Sequence, residues 1–399
     1  MIVQSPSLLI LNSGSSSIKF ALFAQTMPLK RLLSGNVERI GSTQALLHRT
    51  DHRNERTEQH HLEAHDHVSA LRQIITSIRD STGPIVATGH RIVLGGTYKD
   101  PQLLNESVIR ELETLALIAP EHMLNELAVV RVTAEALPSV PQLACFDTAF
   151  HADLPHVARL VPLPHALTDR LGIRRYGFHG LSYTFLLEEL KNIAGERAAN
   201  GRLILLHLGN GASMAAVSGG VCKDTTMGFT PTGGLMMSTR LGDLDPGILW
   251  HLMKSGYASP DAIHHLINRE SGLLGVSGKS SDMRDLLAAE KSNPRAADAV
   301  RLFCYSAKKF LGALTAAIGG VDTVIFTGGI GGNAPEIRTR ICDGLEHLGI
   351  ALHAEHNAEN QGVISSDKST VTVRVMRTDE ELMIARAVAR HMKSSNNHA

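Results

Sequence analysis

The stretch Leu8-Leu9-Ile10-Leu11-Asn12-Ser13-Gly14-Ser15-Ser16-Ser17-Ile18-Lys19-Phe20 decides the reading of this chain. An apolar run of strand type stops at a polar turn of Ser and Gly, then resumes as a strand carrying one Lys. Such a hairpin offers backbone N–H groups, hydroxyls and an ammonium to one small volume, as an anion such as phosphate requires. Asn12, at the strand end, is placed to hold a metal-bound water or a phosphate oxygen. The GxxxxGK[ST] pattern is absent, and Lys19 lies on the strand after the turn rather than at a helix start. Ser and Gly also populate ordinary hairpins, so the phosphate reading depends on what accompanies this turn.

Working outward, the same pattern returns near residue 200. Leu203 to Leu208 is an apolar run that meets Gly209-Asn210-Gly211-Ala212-Ser213, and a second strand, Met214 to Val217, follows. Between the two hairpins the chain reads as a strand at 29–38, a polar stretch at 48–67 and a helix near 68–80. A buried strand at 85–93, helices at 105–118 and 124–136 and a short strand at 143–146 come next. After the second hairpin, a long helix at 296–318 leads to a strand at 323–326 and the turn Thr327 to Asn333. The chain then reads as a helix at 334–347 with Pro335 in its first turn, a strand at 371–375 and a helix at 380–392. Two halves that each open with strand, Gly turn and strand predict a duplicated α/β domain. The expected division is 1–150 with 381–399 against 151–380, with nucleotide in the cleft between them. No Pro- or Ser-rich linker separates the halves, which predicts hinges near 148–152 and 376–380.

Composition narrows the function. The 399 residues are 43% hydrophobic and 20% charged with zero formal net charge, as in an ordinary globular protein. Neutral balance argues against nucleic acid or an anionic membrane as partner. No run approaches the roughly 18 apolar residues of a membrane span, and residues 1–6 lack a secretory leader's features. Cys145, Cys222, Cys304 and Cys342 form no C-x-x-C pair, which fits the reducing cytoplasm.

Five further clusters carry chemistry. Arg91, in Gly89-His90-Arg91-Ile92-Val93, ends a buried strand, either as a structural ion pair or as a grip on carboxylate or phosphate. His179 sits between two glycines ahead of a helix, a place suited to an anion. Arg240 lies in a loop before a helix that Asp243 or Asp245 caps. Gly278 to Arg284 is a loop opening into a helix. The Gly-rich turn after Phe326 suits close approach of an adenosine or its phosphates.

Taken in order, LILNSGSSSIKF, GHRIVLGG, CFDTAFH, RYGFHG, HLGNGAS, TPTGGLMMSTRLGDLDP, SGLLGVSGKSSDMRD, FTGGIGGNA and RTDEELMIA resemble successive blocks of the acetokinase family over nearly the whole chain. The resemblance implies two actin-like, ribonuclease H-like domains with mixed sheets flanked by helices, and a cytoplasmic homodimer. It also implies reversible phosphoryl transfer between ATP and acetate, giving ADP and acetyl phosphate, with Mg²⁺ or Mn²⁺. By residue it implies a metal site at Asn12 and Glu380, and an ATP-phosphate site at Lys19 with Ser15 and Ser17. Arg91 would take the substrate, Asp147 would be the catalytic aspartate, and His179 and Arg240 would stabilise the transition state. Nucleotide would meet His207, Leu208, Gly209, Asn210 and Gly211, then Asp282, Met283 and Arg284, then Gly329, Ile330, Gly331, Gly332 and Asn333. Val93, Phe178 and Pro231 would line the acyl pocket.

An attacking carboxylate, with an ordinary pKa of about 4, is already ionised at neutral pH, so the chemistry needs no general base. Asp147 is therefore expected to act through metal-bound water or by orienting an arginine. Several positions depart from the family pattern: Leu94 ahead of Gly95-Gly96, Glu121-His122-Met123-Leu124 after Pro120, Leu181 to Tyr183 after Gly180, and Gly332. Glu121 stands where an apolar acyl-pocket residue is usual; either it turns outward or the pocket accepts another acid. Val93 favours acetate over propionate or butyrate. A non-catalytic actin-like nucleotide clamp is the other reading, but it leaves Arg91 and Arg240 unexplained. The histidines at 48, 52, 60, 61, 65 and 67 read as a solvated loop or helix face rather than a metal site.

Overall fold

Every residue of β1 (Ser7–Ser13) is buried, which places this strand inside a sheet rather than at its edge. The computed structural model, describing residues 6–79, 83–257 and 259–396, shows why. β2 (Ser17–Ala24) pairs antiparallel with β1 on one side, and β6 (Ile85–Ile92) pairs parallel on the other. With β3 (Lys30–Glu38), β4 (Leu46–Asp51), β5 (Arg56–His61), β7 (Gln102–Leu103) and β8 (Gln142–Phe146), they form an eight-stranded sheet. Its order is β5-β4-β3-β2-β1-β6-β8-β7.

The second sheet contains β9 (Arg202–Leu208), β10 (Ala212–Ser218), β11 (Val221–Thr225), β12 (Thr323–Thr327) and β13 (Thr372–Val375), in the order β11-β10-β9-β12-β13. Three antiparallel strands followed by two parallel ones next to the first is also the order β3-β2-β1-β6-β8 of the first sheet. The repeat seen in the hairpins thus extends over five strands of each sheet. The chain divides into two compact units, Met1–Ala152 with Asp379–Ala399, and Asp153–Thr378.

In the first unit, Leu9, Leu11, Phe20 and Leu22 from the sheet pack with Leu71, Ile74 and Ile78 of the helix His67–Arg79. The helix Glu380–Asn396 packs on β1 and β6. Gly89 makes that approach close, because a Cβ there would stand 2.5 Å from Ile384 and 2.7 Å from Val388. In the second unit, the helix Pro294–Ala317 packs against β9, β10 and β11.

Local differences from the sequence reading have physical causes. Much of the stretch 48–67 is strand: it supplies most of the β4–β5 hairpin at the sheet edge, polar on both faces and so without an apolar alternation to betray it, while His52 and His65 lie in turns and His67 opens a helix. The turn 327–333 is a short helix, Gly328–Asn333, despite four glycines. The next helix stops at Cys342 rather than 347, and the one expected from 124 begins at Pro120. Residues 1–5, which bear on the expected absence of a leader, lie outside the described residues.

Candidate functional site

In the first unit, strand pairing gathers the expected groups. Asn12 is directly opposite Lys19 across the β1–β2 pair, so both side chains share one face of the sheet. Asn12 Nδ2 donates to Glu380 Oε2 at 2.9 Å and to Glu381 Oε1 at 3.0 Å, tying the end of β1 to the start of the last helix. Arg31 holds that helix start from the other side, donating to both oxygens of Asp379. The turn is closed by Gly14 N–H to the Ser17 carbonyl at 2.8 Å, leaving Ser15 and Ser17 half-buried. His67 bonds the Gly14 carbonyl at 2.8 Å, so one of the histidines from the His-rich stretch braces the turn. The Ser13 hydroxyl is buried with no hydrogen-bond partner among the described residues.

Arg91 lies next to the end of β6. Its Nε and Nη2 both donate to Asp147 Oδ2, at 3.1 and 2.5 Å, and Nη1 reaches the Ser13 carbonyl at 3.4 Å. Asp147, immediately beyond β8, is fully buried. The structure adds Glu126, a residue the sequence reading missed. Glu126 is also buried, Oε2 accepts the Val93 N–H at 2.9 Å, and Oε1 lies 3.6 Å from Arg91 Nη1. Burial outweighs the attraction of Arg91 and pushes its carboxyl up to about 8, while the surrounding carboxylates raise Arg91. The signal was a charged residue on the helix face that carries Met123, Leu127 and Val130. Glu121, by contrast, is only half-buried in the first turn of that helix, where negative charge complements the dipole.

The second unit gathers the remaining groups around the β9–β10 turn. His179 precedes the helix beginning at Gly180 and adopts a left-handed backbone, φ 59°. Its Nδ1 bonds Ser213 Oγ at 2.8 Å, Ser213 also bonds the Tyr183 hydroxyl, and the imidazole stacks on His207 with centroids 4.2 Å apart. Arg240 Nη1 donates to the Pro231 carbonyl at 2.6 Å. A Cβ added to Gly211 would stand 3.1 Å from Arg240 Nη2 and 3.2 Å from His179 Nε2. Both side chains thus aim at the one point that glycine leaves open.

The Gly-rich segments 207–211 and 329–333, expected to meet nucleotide, also approach each other: a Cβ on Gly209 would be 3.6 Å from the Gly329 nitrogen. Beneath them Arg338, fully buried, donates to the Gly331 carbonyl at 2.9 Å and to Asn357 and Asn360. Desolvation lowers this guanidinium to about 10. Asp282 caps the helix Met283–Ala289 and pairs with Arg284, so this third block is engaged with itself. Val93 and Phe178 are buried, as is Pro231; Val93 belongs to the first unit and the other two to the second.

A model of the acetokinase family matches residues 7–386. The chain is 43% identical over 396 residues to an acetate kinase of Rhodopseudomonas palustris, covering 97% of this chain and 98% of that one. A propionate kinase of Escherichia fergusonii is 42% identical over 403 residues, with 97% of each covered. Among solved structures, an acetate kinase of Porphyromonas gingivalis aligns with TM-score 0.85 at 38% identity, covering 96% of this chain and 98% of that one. A propionate kinase of Francisella tularensis aligns with TM-score 0.89 at 33% identity and the same coverage. With the match running from β1 into the last helix, this chain belongs to the acetokinase family.

Proposed function

We propose that this enzyme transfers the γ-phosphoryl group of ATP to acetate, reversibly, giving acetyl phosphate and ADP. The observation that carries the reading is the convergence of Arg240 and His179 on Gly211. Phosphoryl transfer asks the protein chiefly to position its reactants and to neutralise charge on the migrating group, and a guanidinium and an imidazole aimed at one open point serve that end.

Arg91 supplies the grip on the acid. A carboxylate oxygen of the substrate attacks the γ-phosphorus, the bond to the β,γ-bridging oxygen breaks, and ADP leaves with that electron pair. No proton needs to be removed from the attacking group. Asp147 therefore works by holding the guanidinium of Arg91 in one orientation. Lys19, Ser15 and Ser17 serve the phosphates, and the blocks at 207–211, 282–284 and 329–333 serve the rest of the nucleotide. Val93, Phe178 and Pro231 bound the acyl group.

Asn12, Glu380 and Glu381 bring hard oxygen donors together, both carboxylates meeting the one amide side chain. That donor set fits Mg²⁺ or Mn²⁺. Such an ion supplies charge neutralisation on the phosphates when bound.

Three further parts of the reading have support of different kinds. Propionate is the alternative acid, because relatives of both names match almost equally. A homodimer is supported by the helix Pro246–Lys254, which buries none of its residues and exposes Ile248, Trp250 and Met253. A cytoplasmic location is supported by four buried cysteines, none of them in a disulfide; among the described residues no helix is long and apolar enough to cross a membrane. Trapping acyl phosphate as hydroxamate over formate, acetate, propionate and butyrate tests the function. The largest kcat/KM is expected with acetate, and ATP turnover indifferent to every acid would overturn it.

A further inference from the structure

A carboxyl group buried beside an arginine normally neutralises it, but here Asp147 already does so through Nε and Nη2. Glu126 is a second carboxyl on the same guanidinium, facing Nη1 at 3.6 Å, a nitrogen that also reaches the Ser13 carbonyl. Its Oε1 makes no hydrogen bond among the described residues, while its Oε2 accepts from the Val93 amide. One side chain thus touches both the backbone of an acyl-pocket residue and the substrate-gripping arginine.

We propose that Glu126 is a positioning residue whose carboxyl sets how much of the Arg91 guanidinium is open to the acyl carboxylate. The inference rests on the reading of Arg91 as the acid-binding group.

The electrostatics give it a sign. With Glu126 protonated, Arg91 and Asp147 cancel, and an incoming carboxylate meets no net negative charge. With Glu126 ionised, the cluster is negative before substrate arrives, and the two anions compete for Nη1. Burial places the crossover at about 8. The groups that face Glu126 are Arg91 from β6 and Asp147 from the end of β8; Glu380, at the start of the last helix, acts on Arg91, and His122 lies one turn earlier on Glu126's own helix. Ionising Glu126 therefore weakens acid binding while leaving the nucleotide-binding groups of the second unit alone.

The test is the pH dependence of KM for acetate and for ATP, at saturating co-substrate, in wild type and Glu126→Gln. If only the protonated form admits acid, KM for acetate in the wild type rises roughly tenfold between pH 7 and 9, the change that follows from losing one proton with a pKa near 8. Glu126→Gln keeps an acceptor for Val93 N–H and cannot ionise, so its KM for acetate stays level over that range. KM for ATP is expected to move by less than about twofold in both. A flat wild-type profile, or a Gln variant that follows the wild-type rise, overturns the proposal. The wild-type profile alone decides if Glu126→Gln does not fold, which thermal melting reports. A wild type that phosphorylates no carboxylic acid at any pH defeats the functional reading instead, and so is told apart from failure of this one.

Discussion

Asp147 receives two nitrogens of Arg91, Nε and Nη2, on a single carboxylate oxygen. Charge-assisted bonds of this type fix orientation as well as charge, and Asp147 has no exposed surface through which water could take over. Arg91 is therefore presented in one pose. We expect Asp147→Asn to lower kcat/KM for acetate on the order of 100- to 1000-fold, the range seen when a charge-stabilising donor is lost. KM for ATP should change little. Steady-state kinetics with each substrate varied checks this; an equal loss for both substrates would mean that Asp147 acts elsewhere.

Gly211 gives a second prediction. The Cβ of Gly211→Ala would press on Arg240 Nη2 and His179 Nε2, both side-chain rather than backbone atoms. The fold should survive, with a melting midpoint close to wild type, while kcat falls by about tenfold or more because the two side chains no longer converge. Wild-type turnover in the Ala variant would show that their convergence is incidental.

Trp250 gives a third. If the helix Pro246–Lys254 is a subunit contact, Trp250→Glu should shift the protein from dimer to monomer in light scattering after size exclusion, since a buried charge is costly in an apolar interface. An unchanged mass would send the interface elsewhere.

His90 gives a fourth, on stability. It is buried in β6, and desolvation lowers its pKa from 6.5 to about 4. The unfolded chain therefore binds a proton that the folded chain refuses. The contribution is fully present above pH 6.5 and is lost as pH falls towards 4, amounting to about 3 kcal/mol. Urea denaturation at pH 7 and pH 4.5 should show a smaller acid loss in His90→Gln than in wild type. Equal losses would place the acid sensitivity in other groups.

Much of this was legible in the sequence, for physical reasons that differ by residue. The two hairpins announced themselves because central strands must be apolar throughout and their turns must be small and polar. Asn12, Lys19, Arg91 and His179 stood out as polar residues near the ends of such strands or close to glycines, and Arg240 as a cation in a loop ahead of a helix. The helix Gly328–Asn333 did not, because glycine is a poor helix former; burial of Arg338 against the Gly331 carbonyl helps hold it, a tertiary effect no local window contains. The β4–β5 hairpin hid behind its own polarity. Glu126 carries no motif to mark it, whereas Glu121, five residues earlier in the same helix, occupies an unusual motif position but has a half-exposed side chain. Helical phase, rather than motif position, distinguishes the two.

Phosphorus NMR of ATP, Mg²⁺ and acetate incubated with wild type and with Arg240→Ala follows the transferred group itself. An acetyl phosphate signal matched by ADP should grow with the wild type, and at a rate lower on the order of 100- to 1000-fold in the variant. Inorganic phosphate and ADP appearing without acetyl phosphate, or a variant as fast as wild type, would contradict the proposed transfer.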